Sequence, residues 1–274
     1  MNLDRAPRPD WLKVRAPSGK RVEEVAGTLD RLGLRTVCRE ARCPNVGECW
    51  GAGAATVILL GDVCTRGCAF CSVTAGAPAP PDSAEPDRVA NAAAELGWRH
   101  VVVTSVTRDD LPDGGAAHFA SVVRALRREA PEATVELLVP DFAGNVDALR
   151  CVVDAAPDIL AHNVETVPRL YPVVRNGAEY DRSLDLLRRA AAMRPSLLLK
   201  SGIMVGFGEN EGEVVAVFRD LFAAGCRSIT VGQYLPPSMG HLPLSEYVSP
   251  ERFDLYADAA RGIGFPRVLS GPLV

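Results

Sequence analysis

Six apolar, β-branched runs alternate with six amphipathic stretches of helical length along the 274 residues, and nothing else restricts the fold as strongly. The runs are 55–61 (ATVILLG), 100–106 (HVVVTSV), 134–140 (TVELLVP), 159–165 (ILAHNVE), 197–206 (LLLKSGIMVG) and 228–235 (SITVGQYL). The amphipathic stretches lie near 85–97, 115–130, 145–155, 180–192, 211–225 and 250–262. Such alternation implies a parallel sheet with right-handed crossovers. Near-continuous apolar runs predict strands buried on both faces. Six units are too few for an eight-stranded barrel, so a partial barrel and a doubly wound sheet both satisfy the pattern. In either, ligands gather at the carboxyl ends of the strands. Cys64, Thr104, Ser105, Asp141, Asn163, Glu165, Gly206, Gly208, Gln233 and Tyr234 fall there.

A chain 47% hydrophobic and 23% charged is able to build one large core. Its net charge of −4 argues against nucleic acid as the main partner. Met1–Pro17 contains Pro7, Pro9, Pro17 and several charges but no apolar run, so it reads as neither signal peptide nor anchor. No stretch approaches the roughly 18–20 apolar residues of a spanning helix. A cytoplasmic, membrane-free chain is expected, in which clustered cysteines serve metal or redox chemistry rather than disulfides. A short helix is predicted after Ser18, its cap, with apolar positions at Val22, Val25, Ala26 and Leu29.

Six of the eight cysteines lie between Cys38 and Cys71. They form two triplets, Cys38, Cys43 and Cys49 (Cys-x4-Cys-x5-Cys) and Cys64, Cys68 and Cys71 (Cys-x3-Cys-x2-Cys). Three thiolates hold three irons of a 4Fe–4S cubane and leave the fourth open, so two triplets imply two clusters. The first triplet lies among Pro44, Asn45, Gly47, Gly51 and Gly53 and reads as loop; the second directly follows a predicted strand. The competing reading of the second is a zinc site missing one visible ligand, or scattered buried thiols. Structural zinc takes four ligands in two pairs, and no partner pair follows here. Phe70, beside the last cysteine, adds an aromatic surface. Cys151 and Cys226 stand alone and read as small buried hydrophobes. Arg108, Asp109 and Asp110 read as a salt-linked loop, Gly114–Gly115 as the start of a helix, and His118, His162 and His241 as structural.

The Cys64–Cys71 motif after the first strand, with an aromatic before its last cysteine, resembles the radical S-adenosylmethionine (SAM) enzymes. The run 38-CREARCPNVGEC-49 is similar to the auxiliary-cluster motif of the lipoyl synthases among them. Further resemblance runs through 102-VVTSVTRDDLPDGGAAHF-119, 138-LVPDF-142, 162-HNVET-166, 200-KSGIMVGFGE-209, 232-GQYLPPS-238, 241-HLP-243, 247-YVSP-250 and 270-SGPLV-274. It implies an α/β fold, a partial (β/α)6 TIM-like barrel over 55–265. An N-terminal cysteine-rich extension (1–54) carries the auxiliary motif, and a C-terminal segment (266–274) follows. It also implies insertion of two sulfur atoms at C6 and C8 of a protein-bound octanoyl-lysine. In that scheme a 5′-deoxyadenosyl radical from SAM abstracts each hydrogen, and the auxiliary cluster donates the sulfur.

By the same resemblance, Cys64, Cys68 and Cys71 bind the SAM-cleaving cluster, and Cys38, Cys43 and Cys49 bind the sacrificial one. Phe70, Ser105, Asn163, Glu165, Lys200, Gly206, Tyr234 and Leu235 are the candidate SAM contacts. Asn163 and Glu165 would take the ribose or ammonium and Ser105 the methionine carboxylate, while Lys200 is expected near its strand's end. Implied partners are octanoylated lipoyl carriers (E2 subunits, glycine cleavage H protein) and an electron donor such as flavodoxin or ferredoxin. Family members usually continue past Ser-Gly-Pro-x-Val into Arg-Ser-Ser-Tyr, where a serine is the auxiliary cluster's fourth ligand. This sequence stops at Val274, so the expectation is either a truncated segment or a member without that serine, whose auxiliary iron would take water or another residue. Ser270 precedes the ligand position and inherits no role. The alternatives are another radical SAM enzyme with an auxiliary cluster and a non-catalytic iron–sulfur carrier.

Overall fold

The computed structural model describes residues 8–14, 16–41 and 43–274, which divide into two compact units. The first is built from Val14–Arg66 and Val73–Leu160. The second is built from Gly67–Ser72 and Ala161–Val274, with the chain up to Lys13.

The first unit opens with α1 (Lys20–Arg31), which buries Val22, Val25 and Leu29 and leaves Ala26 half-buried. Its N-cap is Gly19 and no side chain caps it. The chain turns one residue later than the sequence predicts, which leaves Ser18 outside the helix. Strand β1 (Arg35–Thr36) leads into α2 (Val37–Glu40), whose start is held by Arg39 N donating to Thr36 Oγ1 at 3.3 Å. α3 (Val46–Gly51) follows, so Cys38 and Cys49 lie on two short helices and only Cys43 lies between them, rather than all three in open loop. The glycines and Pro44 shorten these helices without abolishing them.

β2 (Thr56–Leu59) pairs antiparallel with β1. β3 (Val63–Cys64) and β4 (Thr74–Ala75) form a separate two-stranded parallel ribbon. The regular alternation then runs α4 (Glu85–Glu95), β5 (His100–Ser105), α5 (Ala116–Glu129), β6 (Thr134–Leu138), α6 (Val146–Asp154) and β7 (Ile159–Ala161). β2, β5 and β6 are parallel, with Thr56 opposite Val102 and His100 opposite Thr134. On β5 and β6, Val101, Val103, Val135 and Leu137 are sealed from solvent, and each such side chain contributes roughly 1.5–3 kcal/mol. Val102 and Thr104, on the other face of β5, are only half-buried. The expectation of strands sealed on both faces is therefore corrected for β5: one face packs and the other stays partly open.

The second unit continues with α7 (Tyr171–Val174), α8 (Tyr180–Met193), β8 (Leu198–Val205), α9 (Glu211–Ala223), β9 (Ser228–Gln233), α10 (Pro250–Ile263) and β10 (Arg267–Gly271). β8, β9 and β10 are parallel; Lys200 and Arg267 both face Ser228. β10 is absent from the sequence reading because no residue in it is buried, so no apolar run marks it. α9 starts on a capping box: Asn210 Oδ1 accepts from Glu213 N at 3.0 Å, and Glu213 Oε2 accepts from Asn210 N at 2.9 Å. Beyond β9, the Gln233 side-chain amide donates to Val205 O, Tyr234 O and Glu246 O at 3.0–3.1 Å, and its oxygen accepts from Val248 N at 2.8 Å. That clamp fixes the loop after β9. The space a Cβ would need at Gly206 (φ +111°) is filled by the Gln233 amide and Glu246 O, so only glycine fits this bend. Among the described residues no helix is long and apolar enough to cross a membrane.

Candidate functional site: two cysteine triplets and the strand ends

In the first unit, Cys38 lies on α2, Cys49 on α3 and Cys43 in the turn between them. Cys43 N donates to Cys38 O at 3.0 Å, which closes that turn. Burial pushes the Cys43 and Cys49 thiols up; Asn45 N–H opposes it and Cys38 reinforces it at Cys43, while Cys43 and Cys38 reinforce it at Cys49. The three sulfurs therefore share one electrostatic neighbourhood. All eight cysteines are free of disulfides. Among the described residues no three His, Cys, Asp or Glu side chains are placed to share a single metal ion. A cubane does not ask that of its ligands, because its thiolates sit on different irons.

Cys64 ends β3, and its Sγ accepts from Arg66 N at 3.4 Å and Thr107 N at 3.3 Å. Backbone N–H donors on sulfur are what a cluster thiolate takes. Arg66 is nearly buried and pairs with Asp109 at 2.7 Å and with the sealed Asp141 at 2.8 Å. Thr65 Oγ1 donates to Thr107 O and accepts from Asp109 N. The start of the cysteine loop is thereby riveted to the loop after β5. Arg108, buried, grips Asp110 through two bonds of 2.8 and 2.9 Å and donates to Leu60 O, so the predicted salt-linked loop is present. Ser105 ends β5, and its buried Oγ has no hydrogen-bond partner among the described residues. Gly115 caps α5 as predicted, and His118 hydrogen-bonds Glu85 at 2.7 Å.

In the second unit, the loop segment bearing Cys68 and Cys71 is held by Ala69 N donating to Val174 O and Leu242 N to Ala69 O. His241 Nε2 lies 3.1 Å from Cys71 O, and its Nδ1 lies 2.8 Å from Ser238 Oγ. Phe70 packs on Val174, Phe207, Tyr234 and Leu244. Tyr234 stacks on Phe207 at 4.2 Å between ring centres and donates its hydroxyl to Leu242 O at 2.7 Å. Leu235 beside it is half-buried. Cys151 lies on α6 and Cys226 is fully buried after α9, its thiol pushed up to about 12 by burial.

Asn163 and Glu165 follow β7 as predicted. Glu165 has φ +65°, unusual for a side chain without glycine's freedom, and strain of this kind concentrates at functional sites. Its N donates to Gly202 O and its carbonyl accepts from Met204 N, stitching it to β8. At Gly202 an added Cβ would lie 2.7–2.8 Å from Thr230 Oγ1 and Asn163 Oδ1, so that glycine makes room for the asparagine. Burial pushes the Glu165 carboxyl up, while nearby Arg175 and a hydrogen bond from Asn163 pull it back. Arg175 Nη1 donates to Asn163 O at 2.8 Å and to the Tyr171 hydroxyl at 3.0 Å. Lys200 departs from expectation. It is the third residue of β8, which runs to Val205, so it lies away from the carboxyl end. The apolar run 197–206 hides that offset, because its strand continues well past the lysine.

The sequence reading missed Arg66, Arg175 and Tyr171. The signal for Arg66 was its place inside the cysteine loop. Arg175 had none, since only the fold brings it back to Asn163.

Residues 58–221, more than half the chain, match the family model described as the radical SAM superfamily, and residues 2–43 match the N-terminal domain of lipoyl synthase. The lipoyl synthase of Alkaliphilus metalliredigens is 52% identical over 274 residues, covering 100% of this chain and 94% of the relative. The chain belongs to the lipoyl synthase family. That of Anaeromyxobacter dehalogenans is 56% identical over 271 residues, covering 98% of this chain and 92% of the relative. The fold is similar to that of methylornithine synthase (PylB), with a TM-score of 0.58 at 15% identity, covering 90% of this chain and 74% of that one. It is also similar to Streptococcus suis SuiB bound to precursor peptide SuiA, at TM-score 0.62 and 11% identity, covering 91% and 52%. The fold is thus the mixed α/β partial barrel of radical SAM enzymes, and the chain is a radical SAM sulfurtransferase of the sulfur-inserting kind.

Proposed function

We propose that the chain converts octanoyl-lysine on lipoyl carrier proteins into lipoyl-lysine, adding sulfur at C6 and C8 with two 4Fe–4S clusters and SAM. The observation carrying this reading is the pairing of both triplets with a full-length family match. Cys64, Cys68 and Cys71 would hold the cluster that delivers an electron to SAM and frees its 5′-deoxyadenosyl radical. Cys38, Cys43 and Cys49, in the 1–54 extension, would hold the cluster that supplies sulfur. The donor chemistry fits both: free thiols in each triplet, and N–H donors already aimed at Cys64 Sγ.

Asn163 and Glu165 are assigned to the ribose or ammonium of SAM, and Ser105 to its methionine carboxylate. The unpartnered Ser105 Oγ supports that, since a buried hydroxyl without a partner costs about 1–3 kcal/mol until something bonds it. Phe70, Gly206, Tyr234 and Leu235 would shape the apolar side of the SAM site and exclude water from the radical. The phenol of Tyr234 is already committed to Leu242 O, so it contributes its ring. The carriers, a flavodoxin- or ferredoxin-type donor and a cytoplasmic setting complete the reading.

The test is iron and sulfide analysis of anaerobically reconstituted protein. About eight irons and eight sulfides per chain are expected, falling by half when either triplet is replaced by alanine. SAM cleavage should require reductant, and an octanoyl-lysine peptide should gain sulfur. A single cluster, bound zinc, or SAM cleavage with no thiolated product would reject the assignment.

A further inference from the structure

We propose that Arg175 is a positioning residue for SAM: it fixes the Asn163–Glu165 turn and supplies the cation that balances the Glu165 carboxylate. The proposal rests on the assignment of Asn163 and Glu165 to SAM and reaches a residue that assignment does not contain. Three observations carry it. First, Arg175 Nη1 bridges the Asn163 carbonyl (2.8 Å) and the Tyr171 hydroxyl (3.0 Å), so the guanidinium holds the backbone at the start of the turn. Second, the turn is strained, with Glu165 at φ +65° and its main chain tied to Gly202 and Met204, and a strained turn persists only where its surroundings over-determine it. Third, Arg175 Nε is sealed from solvent and makes no hydrogen bond among the described residues, so this guanidinium is not fully committed to structure.

The charge has neighbours of one kind. Glu165, Tyr171 and Cys68 are the titratable groups acting on Arg175; Arg175 and Tyr171 are those acting at Glu165, which also takes a hydrogen bond from the Asn163 side chain. Arg175 directly follows Val174, whose carbonyl accepts from Ala69 N in the cysteine loop. Adjacent residues thus hold the cysteine loop, through the Val174 carbonyl, and the Asn163–Glu165 turn, through the Arg175 guanidinium. Without it, burial is opposed only by the hydrogen bond from Asn163 and favours the protonated carboxyl, which is a poorer acceptor for hydroxyl or ammonium donors. Binding should then require higher pH. A merely structural Arg175, holding α7 through Tyr171, would weaken binding equally at every pH.

The experiment measures SAM dissociation constants on the reconstituted, unreduced holoenzyme by equilibrium dialysis, from about pH 6 to pH 9. For R175M, affinity relative to wild type should fall roughly tenfold per pH unit below the new Glu165 midpoint and recover at the alkaline end. R175K, which keeps the charge, should follow the wild-type profile more closely than R175M does. Y171F, which removes the bridge but not the charge, should keep the wild-type pH profile. E165Q should bind weakly with no added pH dependence, and R175M should cost nothing further in that background. If R175M loses iron, R175Q serves in its place, since its amide still reaches for the same acceptors without charge. An R175M or R175Q profile parallel to wild type, while E165Q is weak, overturns the role of Arg175 and leaves Glu165 in place. E165Q binding as tightly as wild type overturns the Glu165 assignment itself.

Discussion

At the residue scale, two positions illustrate how much a few ångströms decide. Gly202 has an ordinary backbone conformation, yet a methyl there would press on Asn163 Oδ1 at 2.8 Å and Thr230 Oγ1 at 2.7 Å. Gly202→Ala should destabilise the fold by about 1–3 kcal/mol through overpacking and displace Asn163. Denaturant midpoints would register the first effect and SAM affinity the second. Arg66 makes the complementary case. Its guanidinium spans Asp109 and Asp141 beside the N–H donors to Cys64. Asp141→Ala should cost about 1–3 kcal/mol, because a nearly buried cation loses its fully buried partner. Urea unfolding of the apo chain measures that cost, and the iron content of the reconstituted variant should also fall. Neither role was legible beforehand. Gly202 sat inside an apolar run and Arg66 looked like one more charge in a loop.

At the element scale, the six regular strands and their helices appear where hydrophobic periodicity put them, with ends shifted by a few residues. The elements that escaped notice lack a periodic signature. β10 pairs with β9 along Arg267–Gly271 but buries nothing fully, so its stability comes from the ladder. α2 and α3 are too short for a repeat and were hidden by glycine and proline. The capping box of α9 was readable in principle, as Asn210 followed three residues later by Glu213. Asn210→Ala should lower stability by about 1 kcal/mol, visible as a reduced denaturant midpoint with unchanged slope.

At the scale of the whole molecule, carboxyls in different surroundings pull stability in opposite directions with pH. Glu165 and Glu209 are pushed up, chiefly by burial. Their contribution is fully present below the unfolded glutamate value and is lost as pH rises through their folded values. Glu213, drawn down to about 2 by Arg169 and Asn210, contributes above the unfolded value and loses its share as pH falls. Glu213 is only half-buried, so solvent screens that share, and Glu165 and Glu209 should govern the alkaline side. Melting temperatures of E165Q and wild type should therefore converge, or cross in favour of E165Q, as pH rises. A wild-type advantage that grows with pH would contradict the direction assigned to Glu165.

By itself the sequence determined the chemistry and the order of the elements. Thiol spacing is a covalent property, since three cysteines within eight residues cannot separate far, and hydrophobic periodicity reports burial before any fold is known. Only the tertiary structure decided which charges face one another and which backbone must bend. Arg66 meets Asp141 across 75 positions, the Arg175 side chain turns back to the Asn163 carbonyl, and Lys200 proves to lie early in its strand. Such pairings depend on distances through space rather than along the chain, and local periodicity carries no record of them.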